Sequence, residues 1–124
     1  MLDKADDKSY LAWKNGSAPL VYAPFKQAVF VLAAREMALV VEGGVVTPKM
    51  LARLERRMLD AQAADGSFCH HVRLGPDGKA LPLPPTHCGT GETTAMVMLA
   101  LLAAPISNAS LMALPRAVED LWQR

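Results

Sequence analysis

Two stretches of helix length, Phe25–Val41 and Gly91–Ala104, are apolar on nearly every face. A helix without a wet face is normally an inner helix of an assembly. Arg35 and Glu36 interrupt the first stretch. Buried charges are usually paired, so an ion pair to another helix or subunit is favoured over a polar cavity lining. Neither stretch reads as a membrane span. Ala28–Val41 carries its two charges at the centre, and Thr94–Ala104 is far shorter than the ~20 residues a span needs.

The rest of the chain is arranged around these two. Pro24 stands at a first helical position, and "EGG" at 42–44 ends the first helix with a left-handed glycine cap. Thr47 and Pro48 open an amphipathic helix with the stripe Met50, Leu51, Leu54, Met58 and Ala61, stopped by Asp65-Gly66. Arg53, Arg56 and Arg57 fall off that stripe. Without interleaved aromatics they read as a solvated face sooner than as phosphate ligands. Thr90 caps the second apolar helix and Pro105 ends it. Pro115 divides the last segment into a short turn and a helix from about Leu114, docked by Val118, Leu121 and Trp122. Residues 1–20 read as an irregular arm.

Between the amphipathic and second apolar helices, "SFCHHVRL" and "KALPLP" flank the turn "GPDG" and predict a β-hairpin over about 67–84. Pro82, Pro84 and Pro85 make its second arm an edge or polyproline-like strand. Residues 68–88 contain every cysteine and histidine of the chain. If the hairpin returns the chain near its start, the two apolar helices run parallel. Tyr22, Pro24 and Lys26 then share an end with Cys69–His71, His87, Cys88 and Glu92.

Three chemistries fit that corner. Cys69 and His71, on one strand face, with His87 and Cys88 from the other arm form a donor set for zinc. Cys69 and Cys88 can alternatively close a disulfide across the hairpin mouth, a staple with no chemistry of its own. Cys88 also precedes the start of a helix, where the dipole stabilises a thiolate. His87, or His70 or His71, would then be its base, and Glu92 would orient that base or act as acid/base itself. The plainer role for Glu92 is a charge favoured in a first helical turn.

Two motifs carry a family resemblance over roughly residues 25–104. "AQAADGSF" (61–68) resembles the Q-x(3)-G-[ST]-[FW] turn that closes outer helices in α/α-toroid proteins, and "GTGETTAMVMLALL" (89–102) resembles the inner helix that follows. That superfamily includes terpenoid cyclases, protein prenyltransferases and several bacterial enzymes of uncertain substrate. The resemblance implies a mainly α fold of toroid-type helical hairpins with one β-hairpin inserted, and a ligand pocket. It implies no particular reaction. The chain has no Asp-rich acid motif, "HCGTGE" differs from a thioester sequence, and His87-Cys88-Gly89 inverts the Cys-His-Gly of lanthionine cyclases. A toroid needs more helices than are present, so the expectation is a fragment of a longer toroid or a homo-oligomer.

Composition narrows the partners. The 124 residues fit a single domain. A net charge of +1 and 6% aromatic residues argue against nucleic acid or an anionic membrane surface. A small molecule or a peptide is the expected substrate class. "MLDKADDKSYLAWKNG" is no secretory signal, which points to the cytoplasm by default. The competing class is a non-catalytic interaction or oligomerisation module, stapled by the Cys69–Cys88 bond.

Overall fold

The computed structural model describes residues 12–14, 20–75, 80–83, 88–103 and 107–124. The fold is mainly helical, with a small antiparallel sheet. In chain order the elements are β1 (Ala12–Lys14), β2 (Leu20–Tyr22), α1 (Pro24–Glu36), α2 (Pro48–Asp60), β3 (Val72–Arg73), α3 (Gly91–Leu102) and α4 (Asn108–Gln123). Among the described residues no helix is long and apolar enough to cross a membrane.

The apolar helices α1 and α3 pack side by side, α2 lies against α1, and α4 lies against α3 and touches α2. Arg35, in the last turn of α1, donates to the carbonyls of Ala100 and Ala103 and pairs with Glu55 of α2. The C-terminal ends of α1 and α3 therefore lie together and the two helices run parallel. The guanidinium meets carbonyls that a helix end leaves without partners, so the charge that interrupted an apolar helix ties three helices together. Val31, Leu54, Met58, Phe68, Val97 and Leu101 are essentially fully buried in the core so formed, each worth about 1.5–3 kcal/mol over leaving it exposed.

The caps at the helix starts follow the sequence. Thr47, Thr90 and Ser107 each accept a hydrogen bond from the backbone N–H three residues on, and Pro24 and Pro48 occupy first helical positions. The ends depart from it. Helix α1 stops at Glu36, well before "EGG". The N–H of Leu39 bonds back to Ala34 and that of Ala38 to Arg35, a Schellman closure with Ala38 at φ 53° in the glycine position. Past Arg35 the partner helix α3 is itself ending, so Met37, Leu39 and Val41 are exposed and nothing favours further turns. Gly43 and Gly44 instead shape the tight loop in which Val41 bonds to Val46.

Helix α2 likewise ends at Asp60, and "AQAADGSF" is a separate turn. Gln62 donates to the carbonyls of Gly66 and Ala113, while Arg116 donates to Gln62, Ala63 and Ala64. Gly66 has φ 94°, and a Cβ there would fall 2.1 Å from the Arg116 carbonyl oxygen. No side chain fits. Helix α4 runs unbroken through Pro115, contrary to the expected turn. Ser107 and Ser110 start it together, and Pro115 sits on its exposed side, where the carbonyl it leaves unbonded can face water.

Two further corrections concern strands and exposure. Part of the expected irregular arm is ordered as β1 and β2, which pair antiparallel with Trp13 opposite Val21, and Tyr22 pairs with Val72 of β3. The predicted hairpin is reduced to β3 and a bridge between Leu74 and Ala80, while the centre of its turn lies outside the described residues. The apolar helices are not covered all round: Phe25, Val29 and Ala33 on α1, and Leu99 and Leu102 on α3, face outward. Among the described residues four helices are present, and each inner helix keeps one exposed side. At Ala38, an L residue in left-handed backbone costs roughly 1 kcal/mol against glycine. Ala38→Gly is therefore expected to raise stability by about that amount in urea unfolding.

Candidate functional site

The candidate site lies on a seam between residues 68–70 and the start of α3. The N–H of His70 donates to the Cys88 carbonyl at 3.1 Å, and that of Phe68 to Thr94 Oγ1 at 3.0 Å. A Cβ on Gly89 would fall 1.9 Å from the Phe68 carbonyl oxygen, so only glycine lets the two backbones come this close. Arg124, at the end of α4, donates to the Gly89 carbonyl and closes the seam from outside. Cys69 and Cys88 are joined by a disulfide across it, with their Cα atoms 4.5 Å apart. Of the three chemistries the sequence left open, the structure contains the staple.

Cys69 is fully buried in a small core with Tyr22, Ala61, Ala63, Val72 and Leu74, against which Cys88 and Leu83 pack. Tyr22 thus shares an end with the cysteines, as the parallel arrangement requires. Its hydroxyl donates to the Arg57 carbonyl, and burial together with the nearby Asp60 carboxylate holds the phenol well above its usual range. The strand alternation expected to put Cys69 and His71 on one face is broken by a bend at His70. Cys69 therefore turns inward, while His70 and His71 are both exposed.

Beside the disulfide opens a cleft of about 550 Å³, lined by His70, His71, Arg73, Leu81, Pro82, Leu83 and Cys88. Thr93 Oγ1 lies 2.8 Å from His70 Nδ1, a contact that fixes the ring. Arg73, on β3, follows His71 by two residues, and both are exposed where Val72 and Leu74 are buried. Sequence reasoning missed Arg73, although the alternation in "HVRL" carries that signal. Thr93 was missed because its pairing with His70 is a tertiary contact.

Glu92 is exposed in the first turn of α3 and is not part of the cleft lining. His87 lies outside the described residues. Among the described residues no group of three or more His, Cys, Asp or Glu side chains converges as a metal site would. In the disulfide neither sulfur is a thiolate, the form that binds metal or attacks a carbonyl.

Comparison with protein families, with curated proteins and with solved structures finds no match for this chain.

The disulfide spans a sequence separation of 19 residues, for which loop closure in the unfolded chain is worth roughly 3 kcal/mol. The Cys69→Ala/Cys88→Ala double variant should lose about that much stability in urea unfolding. The denatured parent protein should show no free thiols until reductant is added.

Proposed function

We propose that this chain is a pocket-forming helical domain of an α/α-toroid enzyme-like protein, with its ligand site in the cleft at the hairpin base. The ligand is a small molecule with an acidic group. One observation supports this reading: two imidazoles and a guanidinium reach the same cleft, opposite the apolar wall of Leu81, Pro82 and Leu83. Such a pairing of a few convergent polar groups with an apolar wall is what small-molecule sites commonly offer. Arg73 supplies a planar fork matched to a carboxylate, and His70, held by Thr93, supplies a fixed second contact.

Nucleophilic catalysis by Cys88 with His87 and Glu92, and zinc on Cys69, His71, His87 and Cys88, belong on this reading to a reduced form. Both need free thiolates. The titration that tests the proposal uses benzoate as an aromatic carboxylate, followed by NMR of the oxidised protein. Saturable shifts are expected at His70, His71 and Arg73, and Arg73→Gln should weaken binding about tenfold or more, one charge-assisted hydrogen bond's worth. An unchanged affinity in Arg73→Gln, or no shifts at all, would sink the proposal.

A second reading, a non-catalytic interaction or oligomerisation module, draws support from the exposed apolar rows. Leu111, Val118 and Trp122 on α4, Phe25 and Val29 on α1, and Leu99 and Leu102 on α3 all face outward. Surfaces of this kind commonly mark association. Sedimentation is expected to show self-association at micromolar concentration on that reading, and a stable monomer would retire its homo-oligomer form.

A further inference from the structure

The two halves of the Cys69–Cys88 disulfide sit in different surroundings. Cys69 is fully buried in the small core with Tyr22, Ala61 and Val72, and it takes no part in the cleft lining. Cys88 is partly exposed and lines the cleft with Arg73 and the apolar wall of Leu81, Pro82 and Leu83. A nucleophile that enters the cleft therefore meets the disulfide from the Cys88 side. Arg73 is exposed, and none of the ion pairs or side-chain hydrogen bonds among the described residues involves it. One cleft thus combines an anchor for an acid with a sulfur open to exchange.

We infer that Cys88 is a reversible thiolation site for small mercapto acids, an inference that rests on reading the cleft as a carboxylate site. The ligand's thiol gives its proton to solvent, and the resulting thiolate attacks Cys88 Sγ. A new S–S bond forms between the ligand and Cys88, and the Cys69–Cys88 bond breaks. Cys69 leaves as a thiolate and takes a proton from solvent, because its apolar surroundings disfavour the charge. One disulfide replaces another, so no outside oxidant is consumed. A buried, apolar leaving sulfur slows this exchange for any thiol. Binding then decides which thiols succeed. The Arg73 fork holds the carboxylate, the carbons lie against Leu81 and Leu83, and the thiol is kept beside Cys88. A neutral thiol lacks that anchor, and an amino thiol meets like charge. Reversal uses the same atoms. The backbone bond from His70 to Cys88 does not depend on the disulfide, so Cys69 stays across the seam and can expel the ligand.

The test opens the disulfide of the intact oxidised protein with mercaptoacetate, 2-mercaptoethanol or cysteamine at equal thiolate concentration. Samples are quenched in acid, alkylated in denaturant and mapped by peptide mass. Mercaptoacetate should react about tenfold or more faster than cysteamine, the worth of one charge-assisted contact, with 2-mercaptoethanol between them. Its adduct should sit on Cys88 and the alkyl group on Cys69. Arg73→Gln should abolish the preference, and benzoate should slow mercaptoacetate alone. Cys69→Ala has no sulfur to expel an adduct, so there the symmetrical disulfide of mercaptoacetate should load Cys88 faster than cystamine does. An adduct on Cys69, equal rates for the three thiols, or a preference that survives in Arg73→Gln overturns the inference. Benzoate shifts with no Cys88 adduct in either protein overturn it and leave the carboxylate reading standing. Cys88 adducts with neither benzoate shifts nor a charge preference overturn both.

Discussion

The close approach of residues 68–70 to the start of α3 is the constraint on which the rest depends. Gly89 allows it, since any Cβ would overlap the Phe68 carbonyl. Backbone hydrogen bonding at His70, the Thr94 hydroxyl and the disulfide then lock it. Once the seam is closed, the N-terminal end of α3 lies against the turn that follows α2. Helix α1, which begins just after Tyr22, comes in parallel to α3. The small core around Cys69 and the larger core between α1 and α3 are thereby joined at one end. At the opposite end Arg35 does the equivalent work, bonding the terminal carbonyls of α3 and pairing with Glu55.

The turn "AQAADGSF" is the second organising device. Gln62 and Arg116 exchange hydrogen bonds between this turn and α4, and Gly66 lets the chain pass against the Arg116 backbone. Its resemblance to the toroid turn is a resemblance in residues. What those residues do here is dock α4 and position Phe68 in the core. The same turn delivers Cys69 and His70 to the seam, so helix packing and the cleft chemistry share one piece of backbone.

One buried group lacks a counterpart in this scheme. Gln27, in α1, is fully buried, and neither amide atom finds a partner among the described residues. Such a group typically costs about 1–3 kcal/mol, a cost the surrounding apolar burial offsets. The outward rows on α1, α3 and α4 show the same economy of cover. The helices among the described residues are short, and they carry apolar side chains that they do not bury among themselves.

Much was legible in the residue order. The caps at Thr47, Thr90 and Ser107 act through bonds within one turn, so the helix starts could be read locally. The stripe from Met50 to Met58 has helical period, so α2 and its buried face could be read too. Of the cysteines and histidines gathered in 68–88, His70, His71 and Cys88 line the cleft, while its Arg73 was not singled out. Tertiary structure decided the rest. Helix α1 stops where α3 stops, because exposed turns gain nothing from continuing. Pro115 stays inside α4 because its unbonded carbonyl lies on the wet side. Cys69 and His71 part company at a bend that no alternation rule contains. The approach of Cys69 to Cys88, and the contact of Thr93 with His70, came from distances between segments far apart in the chain. Local propensity fixes where elements begin; only the packing of those elements determines which side chains meet.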